Sequence, residues 1–137
     1  MKQVDWQNFR APVSEFFIVG EVANFDPRRI PARGSDIERA VLALAVELDK
    51  VRRAWGSGIG VTSWYRPPAI NRAVGGVSNS QHLYGSAADI YPLDGREYDF
   101  ELWLDRFWGD RALGYGQMAD RGFTHVDLRS GRIRWNY

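Results

Sequence analysis

The 137-residue chain contains no cysteine. That absence excludes disulfide scaffolds, thiolate metal sites and cysteine nucleophiles, and leaves the redox compartment open. Long apolar runs are missing as well. Nothing approaches the roughly 18 consecutive apolar residues of a membrane span, and the opening MKQVDWQNFRAPVSEFF has no apolar core of signal-peptide length. Both absences predict a chain made in the cytoplasm that does not insert into membranes. Charge of one sign is not in excess: 18 Lys and Arg stand against 17 Asp and Glu, for a net +1. Without a basic stripe, nucleic acid is not an expected partner. There is no internal repeat, low-complexity tract or linker. Histidine is scarce too, at two residues, and their positions carry the chemistry.

Aromatic residues are abundant, with six Trp, six Tyr and seven Phe. In one domain of this length some rings fill the core and others line a cleft. Residues 1–34 read as an irregular segment, rich in turn formers, packed on the body. The clearest helix is residues 35–55. There Ser35 and Glu38 form a capping box, and Ile37, Val41, Leu44, Leu48, Val51 and Trp55 fall at alternating steps of four and three. Residues 58–65 read as a buried strand and 66–74 as a short helix opened by prolines. A small-residue stretch after Gly85 runs into a strand that Pro92 ends. Residues 99–110 read as a helix capped by Asp99, with Phe100, Trp103, Leu104 and Phe107 at helical spacing. The end, GFTHVDLRSGRIRWNY, predicts a β-hairpin turning at Ser130–Gly131. A long helix followed by strands without a βαβ rhythm points to an α+β domain over residues 1–137, with an antiparallel sheet packed against helices.

A lone histidine is more often a core or surface residue than a ligand. Two local patterns argue for more. In FTHVDL, His125 and Asp127 are two apart on a strand and share a face. Around His82, the run Gly85–Ser86–Ala87–Ala88 removes side-chain bulk before Asp89, so that backbones can approach closely. A catalytic zinc needs three protein ligands and an open position, and imidazole with carboxylate is a normal set. His82, Asp89 and His125 would complete such a triad with both histidines of the chain.

These stretches carry a resemblance. TSWYRPPAINRAVGGVSNSQHLYGSAADI followed by GFTHVDLRSGRIRW resembles the zinc D-Ala-D-Ala carboxypeptidase family, in its phage-endolysin-like branch with the hedgehog/DD-peptidase fold. The family pattern Ser-x-His-x-x-Gly-x-Ala-x-Asp is matched by Ser80, His82, Gly85, Ala87 and Asp89. Its Ser-Gly-Tyr-Arg-like element appears as Ser63–Trp64–Tyr65–Arg66, with tryptophan in place of glycine. The segment WQNFRAPVSEFF resembles the Asn-Phe…Glu-Phe opening of that branch, so the likeness covers roughly residues 6–135.

The resemblance implies one zinc ion held by His82, Asp89 and His125. It places Arg66 beside the substrate, where a guanidinium holds a carboxylate or stabilises an oxyanion; the plainer role is a surface salt bridge. Ser80 is implied in substrate binding or ligand orientation, against a plain role in stabilising the loop before His82. Tyr65 and Tyr84 are the aromatic candidates for substrate contact. Several relatives carry a glutamate three residues before the last histidine, where this chain has Gly122. Asp127, of the branch's His-Val-Asp, is then the expected general base or partner of His125, with Asp120 the alternative. The implied activity is hydrolysis of an amide bond in peptidoglycan stem peptides, either as a D,D-carboxypeptidase or as an L-Ala-D-Glu-type endopeptidase. Such a chain would be a monomer released to the cell wall or part of a phage particle. The alternative, supported by Gly122, is a zinc-containing virion or wall-binding module without catalysis.

Overall fold

Residues 3–137 are described in this computed structural model. Before residue 35 the chain forms one short helix, α1 (Val19–Ala23), and a 3-10 turn over Pro27–Arg29. The segment is tied down by one carboxylate. Asp49 accepts from the Ser14 hydroxyl at 2.9 Å and from the backbone N–H groups of Glu15 and Phe16, each at 3.1 Å.

Asp49 belongs to the long helix α2 (Asp36–Trp55), which starts where the capping signal predicts. Ser35 Oγ accepts from Glu38 N at 3.1 Å, but the Glu38 carboxylate returns to Gly34 N rather than to Ser35 N. The apolar stripe is buried at Val41, Leu44, Leu48 and Val51, with Ile37 and Trp55 packed at its edge. Each fully buried side chain of this kind contributes roughly 1.5–3 kcal/mol.

After α2 come β1 (Ile59–Ser63), α3 (Pro68–Ala73), a 3-10 turn over Gln81–Tyr84, and β2 (Ala87–Pro92). Then follow α4 (Glu97–Phe107), β3 (Arg111–Tyr115), β4 (Thr124–Ser130) and β5 (Ile133–Asn136). Asp99 does not cap α4, which begins two residues earlier. Its Phe100 and Leu104 are buried as expected, whereas Phe107 is exposed and stacks on Trp103 at 4.8 Å.

The five strands form one sheet in the order β1-β2-β4-β3-β5. The α+β class holds, but the sheet is mixed, because β5 pairs with β3 in parallel. The expected hairpin at Ser130–Gly131 does not form. β2 and β3 occupy both edges of β4, so β5 crosses to the free edge of β3. Polar anchors hold it there. Gly131 N donates to Asp110 O at 2.9 Å, and the Arg134 guanidinium reaches Asp105 Oδ1 at 2.6 Å, Trp108 O at 3.0 Å and Arg111 O at 2.6 Å.

One face of the sheet, carrying Ala88, Ile90, Leu113 and Val126, packs on α2 and α4 and closes the core. Cross-strand partners share a face. The pairs Ser63–Asp89, Asp89–His125, His125–Gly114 and Gly114–Trp135 therefore line up as one row across all five strands, on the face away from those helices. A bulge in β1 between Val61 and Ser63 brings Ser63 into register with Asp89.

Candidate metal centre

Two groups of the transverse row, Asp89 and His125, are joined by His82 from the 3-10 turn. One ligand atom from each lies within 4.8 Å of the others, and all three residues are buried. His82 Nε2 is 3.2 Å from Asp89 Oδ1, and His125 Nδ1 is 3.0 Å from the same oxygen. The imidazoles meet edge to face, with centroids 5.1 Å apart.

Local sequence explains how His82 arrives. Ser80 caps the turn by accepting from His82 N at 3.2 Å, and Gly85 ends it in the left-handed region at φ 75°. A Cβ on Gly85 would lie 2.8 Å from Val41 Cγ2 and 3.0 Å from Ile37 O, so only glycine lets the turn seat against α2. Trp64, where the resemblance expects glycine, is fully buried. Its indole N–H donates to Gly85 O at 3.1 Å and fixes the same turn.

The outer ring nitrogens decide the tautomers. His82 Nδ1 lies 2.7 Å from the Trp64 carbonyl, which can only accept, so Nδ1 carries the proton and Nε2 presents a lone pair. His125 Nε2 lies 2.8 Å from Asp127 Oδ2 and donates to that carboxylate, leaving Nδ1 to face Asp89. With neutral imidazoles, three lone pairs converge on one point and repel unless a cation lies between them. The donor set of two nitrogens and one carboxylate oxygen suits zinc, and both imidazoles carry the outer hydrogen bonds that metal-ligating histidines use.

The charges agree. Burial raises the Asp89 carboxyl, but His82 and His125 outweigh it and hold Asp89 well below the usual carboxylate range. Burial alone would lower His125, yet its hydrogen bonds to Asp127 and Asp89 raise it. Those hydrogen bonds favour the protonated ring, and a metal taking the Nδ1 lone pair would compete with that proton.

Profile comparison identifies the family: the peptidase M15 model matches residues 23–127. The chain belongs to the peptidase M15 family. It is thereby a member of a family of zinc-dependent peptidases, and the group His82–Asp89–His125 lies within the matched span. No curated protein matches the chain in sequence. No helix among the described residues is long and apolar enough to cross a membrane.

The remaining expected residues of this M15 chain separate into those near the centre and those away from it. Ser80 Oγ accepts from His82 N and also from Arg66 Nη2 at 3.4 Å, joining turn and guanidinium. Arg66 makes no ion pair within hydrogen-bond reach among the described residues, and its buried Nε has no partner. Burial lowers its pKa, opposed by the nearby Asp89 charge. The surface salt bridge is therefore not its role. Tyr65 is buried among core residues rather than lining a cleft, and Tyr84 stands exposed on the turn that carries His82.

Of the two roles expected of Asp127, the geometry shows the contact with His125. Its side chain is inaccessible to solvent, and both oxygens are engaged. Oδ2 accepts hydrogen bonds from His125 Nε2 at 2.8 Å and from Arg129 Nη2 at 3.0 Å, while Oδ1 accepts from Arg129 N at 3.1 Å and Nε at 3.0 Å. Burial would raise its carboxyl, but His125 and Arg129 prevail and lower it. Both oxygens therefore face His125 and Arg129. Asp120, the alternative, is exposed and accepts from the Tyr98 hydroxyl.

Sequence patterns gave no sign of several neighbours. Arg29 is buried, donates to Tyr65 O at 2.9 Å and to Ser63 Oγ at 3.3 Å, and shares its surroundings with Arg66. Trp135 lies edge-on to His125 at 4.9 Å, its ring passing over Gly114, where a Cβ would be 2.6 Å from Trp135 Cε2. Tyr137 follows it. Only the pattern of alternate residues after Gly131 hints that Trp135 and Tyr137 share a face.

Proposed function

We propose that this M15 chain hydrolyses an amide bond next to a D-amino acid in peptidoglycan stem peptides, and so breaks down cell wall. The observation that carries the reading is the convergence of His82 Nε2, Asp89 Oδ1 and His125 Nδ1 with the outer nitrogens already hydrogen-bonded. His82, Asp89 and His125 would hold one zinc ion. A zinc so held supplies a Lewis acid for the scissile carbonyl and an acidified water.

The protein's own groups do the rest. Arg66, with a buried unpartnered Nε and Ser80 beside it, offers a cationic anchor for a substrate carboxylate. A carboxylate arriving there is held in an environment from which much water is excluded, where the ion pair is stronger than at the surface. Asp127, itself gripped by Arg129, keeps the proton of His125 on Nε2 and aims Nδ1 inward. The Trp64 carbonyl does the same for His82 from the opposite side. Either terminal D-Ala-D-Ala or an internal L-Ala-D-Glu link presents the amide and neighbouring carboxylate that this arrangement suits. Action on the wall after release from a host cell, or from a phage particle, fits the substrate.

Gly122 in place of a glutamate, together with the engagement of Asp127, favours a second reading: a zinc-containing wall-binding module without turnover. Mass spectrometry of muropeptides released from purified peptidoglycan by zinc-loaded protein separates the two. New peptides or D-alanine with a defined new end support the peptidase. An intact sacculus that retains the protein supports the module.

A further inference from the structure

The end of β5 lies beside the metal centre, with Trp135 against His125. Parallel pairing of Gly114 with Trp135 lays the indole over the glycine and against His125. Two residues on, Tyr137 falls on the same side of the strand. Its ring packs edge-on against Phe123 with centroids 5.3 Å apart, and lies 6.4 Å from the Trp135 ring. The phenol is near enough to Asp89, Arg66 and Asp127 to feel all three charges. At 44% exposure, part of the ring is packed while the rest remains open to an incoming ligand.

We propose that Tyr137 is a further catalytic residue of this site, its hydroxyl donating a hydrogen bond to the carbonyl oxygen of the amide being cut. The proposal rests on the peptidase reading above. When an amide carbonyl is attacked, negative charge grows on its oxygen, and a positioned donor that strengthens as the charge develops accelerates the step. Arg66 is matched to a permanent carboxylate: it is always charged and paired with Ser80. A neutral donor is better suited to a charge that exists only transiently, because it does not hold the ground state as tightly. Tyr137 meets that need. An ordinary phenol already keeps its proton near neutral pH, and burial of Tyr137 raises its pKa further. Phe123 and Trp135 hold the ring, which lowers the entropy lost when the bond to substrate forms.

The test is Tyr137→Phe in the zinc-loaded full chain, since phenylalanine keeps the ring packing and removes only the hydroxyl. Expected is a fall in kcat of about tenfold to hundredfold with KM within about twofold. Zinc affinity, measured by chelator competition, and Tm should equal the wild type. A phosphinate dipeptide, in which a tetrahedral phosphorus replaces the scissile carbonyl, should bind the variant more weakly by a similar factor in calorimetry. Wild-type kcat in the variant, a change in KM alone, or lost zinc affinity would each overturn the assignment. If the wild-type protein cleaves no peptide, the peptidase reading is what fails; phosphinate affinity still decides whether the hydroxyl reaches a tetrahedral oxyanion, and equal affinity in both proteins overturns the proposal.

Discussion

Asp127 stands behind His125: its Oδ2 lies 2.8 Å from Nε2, on the side of the ring opposite Asp89. Replacing it with asparagine removes the charge that fixes the imidazole and breaks the two-point contact with Arg129. Asp127→Asn is expected to weaken zinc binding by about tenfold to hundredfold, as other carboxylate partners of metal-bound histidines do. Competition with a chromophoric chelator measures this. Zinc affinity equal to wild type, with turnover lost, would return Asp127 to the role of general base.

Each histidine supplies one of three converging atoms, so His82→Ala and His125→Ala should each lose the metal. Elemental analysis of the purified proteins is expected to give one zinc per wild-type chain and none for either variant. Added zinc should raise Tm for the wild type only, since a ligand stabilises the folded state in proportion to its affinity. One zinc retained by either variant would contradict the ligand set.

Gly85 combines a left-handed backbone with close contact to α2. Gly85→Ala should cost about 1–3 kcal/mol for the strained backbone, with the contacts to Val41 and Ile37 adding to it. Urea denaturation reads the change as a lower midpoint. A midpoint unchanged from wild type would mean that the turn relaxes away from α2.

Asp105 makes a prediction for pH. Burial would raise its carboxyl, but bonds from Tyr115, Arg134 and Arg132 outweigh it and bring it from 3.8 down to about 2. A carboxyl depressed on folding stabilises the native state above its unfolded value, and that stability is lost as pH falls through the folded one. The Tm of the wild type should therefore drop between pH 4 and about 2, as the Arg134 anchor of β5 is released. Asp105→Asn should have a lower Tm at neutral pH and a flatter profile over that interval. Parallel profiles for the two proteins would show that Asp105 does not carry this acid step.

Periodicity located α2, and runs of β-branched, aromatic or small residues bounded by turn formers located β1, β2 and β4. Pattern and resemblance together named His82, Asp89 and His125, and the small residues between the first two do allow the approach to α2. The place of β5 was not legible. Ser130–Gly131 is a good hairpin turn, and nothing local reports that both edges of β4 are taken or that Arg134 finds its partners in α4 and β3. The spacing left two roles open for Asp127, general base or partner of His125. Two positions on one strand face can meet the metal together, or one can stand behind the other, and the spacing is the same. Tyr65, an aromatic candidate for substrate contact, packs into the core cluster, which aromatic content alone does not report.

The row from Ser63 to Trp135 draws one residue from every strand. Side chains alternate along a strand, so a slip of one position between β2 and β4 would send either Asp89 or His125 to the opposite surface. A misaligned chain could keep its helices, its collapse and much of its core, and still be unable to gather the three ligands. Metal uptake during refolding would then count only molecules whose central strands are aligned, separating native protein from compact kinetic traps that circular dichroism scores alike.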